Sequence, residues 1–306
     1  MRALRTPDDR FRDLPGYDFL PNYVHVAAGD GSADTLRVHY LDEGSAAAAE
    51  TVVTLHGEPT WSYIYRNLIP VLTGAGHRCI APDLVGFGRS DKPAKSSDYT
   101  YQRHVDWVRE VLFGRLGLDR ITLLVQDWGG LIGLRLVAEN PERFSRVIAA
   151  NTGLPTGDRA PSVEFLKWLE FSQRDLRFGI GNIVKGGCSA EISADVMAAY
   201  DAPFPDELYK QGARKFPTLV PISESDPSAV SNRQAWRSLA SFDKPFLCAF
   251  SDLDPITSGA DRAFKQIIPG CTGRDHVVIK GGGHFLQEDR GGELAQIVNK
   301  FISDTA

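Results

Sequence analysis

The sequence predicts an α/β fold: a mostly parallel sheet with helices on both faces, and a helical segment inserted between two strands. Three features carry that expectation. Short, β-branched apolar runs alternate with longer stretches of helical periodicity along most of the chain. Several runs lack period-two alternation, the pattern of strands buried on both faces of a parallel sheet. Between Thr156 and Ser238 this rhythm breaks, and the chain reads as mostly helical without clear strands.

In chain order, strands are expected over residues 36–41, 51–55, 78–81, 121–125, 147–150, 245–250 and 276–279. Helices are expected between them, including 101–116, 130–140 and 261–268, the middle one stopped by Asn140-Pro141. The segment that breaks the rhythm carries Phe165, Trp168, Phe171 and Phe178, large apolar side chains that need something to cover. It is either an ordinary helical layer or a lid over the strand ends, where ligands bind in open α/β sheets. The expected division is a core of residues 1–155 with 239–306 and a cap of residues 156–238.

Composition bounds the function only loosely. With 306 residues, 42% of them apolar, the chain can form a large core and an enclosed pocket. The balance of 39 acidic against 34 basic residues gives a net charge of −5 without a basic patch, which argues against nucleic acid as a partner. The apolar runs are far shorter than the ~20 residues a bilayer span requires, so no membrane association is expected. The first residues lack the apolar stretch of a secretory signal. These features predict a soluble, cytoplasmic protein. No heptad stripe appears, and a monomer is expected. Cys79, Cys188, Cys248 and Cys271 form no C-x-x-C pair, and the seven histidines no i, i+4 ligand pair, so a metal site is not indicated.

The chemistry concentrates at strand ends. In Leu124-Val125-Gln126-Asp127-Trp128-Gly129-Gly130 an apolar strand runs into a glycine-rich helix start, the setting of a nucleophile elbow, with Asp127 where G-x-S-x-G has serine. Asp at a helix start is also a common N-cap, and the local pattern leaves both readings open. His56-Gly57-Glu58-Pro59 follows the strand at 51–55, and in this architecture oxyanion donors come from that loop and from the residue after the nucleophile. This nominates the backbone amides of Glu58 and Trp128, with His56 structural. His284 lies in a glycine turn after the strand at 276–279, the position of a general base. An orienting acid should lie between nucleophile and histidine in the chain; Asp254 is chosen, with Asp252 in reserve. Asp83–Ser90 contains close glycines but fails the phosphate-loop pattern, and reads as a structural turn.

Assembled, these residues resemble the haloalkane dehalogenases of the α/β-hydrolase superfamily over nearly the whole chain. His-Gly-Glu-Pro-Thr-Trp-Ser at 56–62 is similar to that family's oxyanion loop, residues 83–93 to its next loop, residues 125–130 to its elbow and Gly283-His284-Phe285 to its histidine turn. Phe165-Leu-Lys-Trp168 resembles the cap segment that supplies a second halide-binding tryptophan; residues 202–206 and 214–217 resemble other parts of the cap. Glu58 points to the branch whose halide is held by two tryptophans, because a sister branch carries asparagine there.

The resemblance implies an α/β-hydrolase fold with an eight-stranded sheet and a detoxifying hydrolysis of small haloalkanes without a cofactor. Asp127 would displace halide, Trp128 and Trp168 would hold the ion, and His284 oriented by Asp254 would activate water against the resulting ester. Indole N–H donates and cannot accept, which suits an anion. Phe165, Phe216, Pro217 and Phe285 would wall a dry pocket. The competing reading is an epoxide hydrolase, which uses the same Asp/His/Asp set with cap acids such as Tyr200 and Tyr209. An esterase is disfavoured, since the elbow has no serine, and a binding protein that has lost turnover would not be expected to retain every catalytic residue.

Overall fold

The computed structural model describes residues 1–175 and 178–306. The chain begins with β1 (Ala3–Leu4), β2 (Asn22–Ala27), β3 (Thr35–Glu43) and β4 (Thr51–Leu55), followed by α1 (Ile69–Gly74) and β5 (Arg78–Pro82). After β6 (Lys92–Pro93), α2 (Tyr101–Arg109) runs into a π-helical turn at Glu110–Arg115, and then come β7 (Ile121–Gln126), α3 (Trp128–Glu139) and β8 (Phe144–Ala150). The α-helices α4 (Val163–Arg174), α5 (Ile180–Gly187), α6 (Ala194–Asp201), α7 (Gln211–Lys215) and α8 (Ala229–Leu239) follow without an intervening strand among the described residues. The chain closes with β9 (Phe246–Ser251), α9 (Asp261–Ile267), β10 (Val277–Ile279) and α10 (Leu286–Asp304).

The main sheet has eight strands in the order β10-β9-β8-β7-β4-β5-β3-β2. Every neighbouring pair from β10 to β5 is parallel, and β3 runs against both β5 and β2. Every residue of β7 is buried, as the missing alternation in its sequence implied. The edge strand β2 was not among the expected strands. It is mostly half-exposed, with only Val26 buried, so it lacks the apolar run that marks the interior strands.

Because β4, β7, β8, β9 and β10 are parallel, the loops that follow them emerge at one edge of the sheet. The chain order also reverses there, β4 leading outward to β5 on one side and lying against β7 on the other, the switch point at which open α/β sheets form clefts. The inserted helices lie over this edge. Of these, α8 returns to the core. Asn232 on α8 approaches Arg135 of α3 (3.5 Å) and donates to the Pro155 carbonyl (2.7 Å), while Trp236 stacks on Phe264 of α9 (ring centroids 5.4 Å apart). The covering part is therefore α4–α7.

One side of that cover is tied down. Tyr200 on α6 donates to Glu288 Oε2 (2.6 Å), a carboxylate held bidentately by buried Arg66. The N-terminal segment adds Thr6 Oγ1 to the Pro203 carbonyl (2.6 Å) and Arg10 Nε to the Ala202 carbonyl (2.7 Å). In contrast, α4 buries only Ser172 fully. Among the described residues no helix is long and apolar enough to cross a membrane.

Candidate active site

Asp127 sits between the end of β7 and the start of α3 with φ 50° and ψ −125°. An L-residue adopts this conformation only when its surroundings impose it. The backbone is held from two sides, the Asp127 N–H donating to the Asn151 carbonyl (3.0 Å) and the Asp127 carbonyl accepting from Thr152 Oγ1 (2.7 Å). Glycines allow the close approach. A Cβ at Gly129 would lie 1.9 Å from the Leu55 carbonyl oxygen, and one at Gly57 would lie 2.4 Å from Asp127 Oδ1. The alternative reading of Asp127 as a helix cap does not apply, since its side chain makes no cap hydrogen bond. Its carboxylate turns toward the strand ends, where Oδ1 accepts the Glu58 backbone N–H at 2.7 Å.

His284 faces Asp127 from the β10 side, with Nε2 3.6 Å from Asp127 Oδ2. Its Nδ1 lies 3.1 Å from Asp254 Oδ1. Asp254 also receives the Ile256 N–H (2.8 Å), the Thr257 N–H (3.3 Å) and the Thr257 hydroxyl. Burial alone would raise the Asp254 pKa, but the His284 charge and these hydrogen bonds outweigh it and hold the carboxyl at about 2. Burial likewise works against a charged His284, and the charges and hydrogen bonds of Asp254 and Asp127 overcome it, raising the imidazole to about 10. The other candidate acid, Asp252, turns away: it accepts the Gly281 N–H (2.8 Å) and lies 3.5 Å from the Lys280 ammonium.

Trp128 is the first residue of α3, so its backbone N–H lies in the helix turn that has no intrahelical acceptor. His56 is fully buried and spent on structure, with Nδ1 2.9 Å from the Gly57 carbonyl and Nε2 accepting the Leu84 N–H (2.9 Å).

A cavity of about 1260 Å³ opens above Asp127. Glu58, Asp127, Trp128 and His284 line it from the core, and Phe165, Trp168, Pro217 and Phe285 join them. Phe216, expected in this wall, is not part of it. It is fully buried behind Trp128 (centroids 4.5 Å apart) and packs on Phe87 and His104, where its ring completes the core layer. Trp61, Trp107 and Trp236 donate their indole N–H groups to the carbonyls of Ala199, Ala27 and Leu154. Among the described residues the N–H groups of Trp128 and Trp168 have no protein acceptor, and both residues line the cavity. Tyr200 is buried against Glu288, and neither it nor Tyr209 reaches the cavity wall.

Sequence reading missed a supporting set. Gln126 Nε2 donates to the His284 carbonyl (3.1 Å) and lies 3.3 Å from its Nε2. Asn151 Nδ2 bonds Ser251 Oγ (2.7 Å) and the Gly283 carbonyl (2.9 Å), joining the ends of β8 and β9 to the histidine turn. The signal was available at Asn151, a polar residue directly after a buried strand. Among the described residues no group of three or more His, Cys, Asp or Glu is arranged to hold a metal ion.

Residues 50–291 match the family described as alpha/beta hydrolase fold. A haloalkane dehalogenase of Psychrobacter cryohalolentis is 57% identical over 305 residues, covering 99% of both chains. One from Mycolicibacterium paratuberculosis is 50% identical over 97% of both. Among solved structures, the haloalkane dehalogenase DpaA of Paraglaciecola agarilytica superposes with a TM-score of 0.90 at 36% identity, covering 97% of each chain. That protein is described as tetrameric, so the expected monomer draws no support from it. With such identity running through the whole length and the same fold beneath it, the chain belongs to the haloalkane dehalogenases, hydrolases of the α/β-hydrolase fold.

Proposed function

We propose that the protein hydrolyses small haloalkanes to a primary alcohol, halide and a proton through a covalent alkyl ester on Asp127. The observation that carries this reading is the pairing, in one cavity, of a carboxylate at a nucleophile elbow with two indole N–H groups that, among the described residues, no protein atom accepts. A carboxylate needs no prior deprotonation, so Asp127 can attack carbon directly from behind the carbon–halogen bond. The bond to carbon forms as the halide leaves with its electron pair. Donors from Trp128 and Trp168 lower the barrier because the charge on the halide grows in the transition state. The resulting ester is attacked at its carboxyl carbon by water, whose proton passes to His284 Nε2. Asp254 holds the ring and stabilises the imidazolium. The backbone N–H groups of Glu58 and Trp128 stabilise the tetrahedral oxyanion. Collapse releases the alkoxide, which takes the proton from His284, and the Asp127 carboxyl, which has kept the second proton of the water, loses it to solvent to regenerate the carboxylate.

Epoxide hydrolysis is disfavoured because neither Tyr200 nor Tyr209 lines the cavity to protonate an epoxide oxygen. The test is incubation with 1-bromobutane and 1,2-dibromoethane. Release of bromide with acidification of a weak buffer is expected, and silence across a broad haloalkane panel overturns the reading. Trp168→Phe keeps the aromatic packing against Phe171 and Phe178 but removes the donor. Loss of one preorganised donor is worth on the order of 10²-fold in the halide-releasing step. Bromide quenching of intrinsic fluorescence should weaken in parallel, and unchanged quenching rejects Trp168 as a halide ligand.

A further inference from the structure

The Glu58 backbone has a role in this mechanism, but its side chain has none, and its environment is unusual. Glu58 is 4% exposed. Its Oε1 is sealed from solvent, and among the described residues neither Oε1 nor Oε2 has a hydrogen-bond partner. The residue nevertheless lines the cavity that Asp127 and His284 share. Leaving a buried carboxyl unsatisfied is costly, and such a group in a native site calls for a partner supplied from outside the chain. Water is the natural one, because at this end of a roomy cavity Glu58, Asp127 and His284 supply the polar partners that a bound water needs.

Resting on the reading above, we propose that the Glu58 side chain is a positioning residue for ester hydrolysis, its carboxyl accepting one hydrogen of the attacking water. The other hydrogen of that water points at His284 Nε2, which leaves an oxygen lone pair free for the carboxyl carbon of the Asp127 ester. As the C–O bond forms, the proton moves to His284, and none is transferred to Glu58. Burial first, and then the neighbouring Asp127 charge, push the Glu58 pKa well above the ordinary carboxylate range, while His284 opposes them. Both charged and neutral carboxyls keep an oxygen that can accept a hydrogen of water, so the positioning role rests on the place of the side chain in the cavity. Substitution of the side chain leaves the Glu58 backbone N–H, and hence its hydrogen bond to Asp127 Oδ1, in place.

The experiment is a rapid-quench comparison with 1-bromobutane. In Glu58→Leu the bromide burst should keep its amplitude, ester hydrolysis should slow on the order of 10²-fold, and butyl ester should accumulate on Asp127 by peptide mass. Glu58→Gln keeps a carbonyl acceptor and should recover most of the hydrolysis rate. Equal slowing of both half-reactions, absence of accumulated ester, or a Gln variant no better than Leu overturns the proposal. Glu58→Met, read in the same way, replaces the Leu variant if thermal unfolding shows that the latter does not fold. Failure of the unsubstituted enzyme to release bromide sinks the dehalogenase mechanism itself, and is thereby distinguished from failure of the Glu58 assignment.

Discussion

His284→Phe is expected to convert the enzyme from a catalyst into a single-use reagent. Attack by Asp127 on carbon requires no base, so one equivalent of bromide per active site should still be released from 1-bromobutane. Hydrolysis of the ester does require a base, and steady-state turnover should fall by about 10⁴-fold. The trapped species is a butyl ester on Asp127, visible as added mass on the peptide that contains it. If His284 instead activated water for direct attack on the haloalkane, the same variant would show neither burst nor adduct. Intact folding is checked by circular dichroism, since His284 is mostly buried and its backbone N–H bonds the Gly187 carbonyl at 2.8 Å.

Asp127→Ala should remove both the burst and the adduct, a loss on the order of 10⁶-fold in turnover of the kind seen when a covalent nucleophile is deleted. It also tests how His284 becomes a base. In the resting enzyme its pKa near 10 makes it a cation at neutral pH, held between Asp127 and Asp254 against the cost of burial. A cation cannot accept a proton from water. In the proposed mechanism alkylation would neutralise Asp127 and remove one of the charges that hold the proton on the imidazole, so that His284 could lose that proton to solvent and then act as a base. Asp127→Ala mimics that neutral state, so an NMR titration should show the His284 pKa falling from about 10. An unchanged value would mean that Asp127 does not gate the base. The linked stability has a definite sign. The folded pKa lies above the ordinary 6.5, so the ion-pair contribution is fully present below pH 6.5 and is lost as pH rises through about 10. The Ala variant should show a weaker loss over that window.

Much of the fold and site was legible because both depend on local pattern. The fully buried run of β7 followed by Asp-Trp-Gly-Gly announced a strand, a tight turn and a close helix packing, and Gly129 provides the room that packing requires. His284 was legible from its place after the last strand. Other features depend on what lies across space. Asp252 and Asp254 are two residues apart on one loop, and their separate partners, Gly281 for one and His284 for the other, depend on how β10 returns beside β9. Phe216 has the composition of a pocket residue, yet the ring packs into the layer behind Trp128. The edge strand β2 is too exposed to carry a period, and the helix expected over 101–116 widens into a π-turn at Glu110.

The chain alone specifies which groups are available and in what order: an aspartate at a strand–helix turn, a histidine after the last strand, acids between them, and tryptophans at 128 and 168. Residue type and short-range spacing suffice for that, because turns, caps and buried strands are set within a few residues. The tertiary structure assigns the work. A parallel sheet brings the ends of β4, β7, β8, β9 and β10 to one edge, and packing around them places Asp254, not Asp252, against His284. Among the described residues it leaves two of the five tryptophans with an unspent N–H at the cavity. It also buries the Glu58 carboxyl there without a hydrogen-bond partner among the described residues. Hydrogen-bond partners and dielectric come from residues distant in sequence, and no local pattern encodes them.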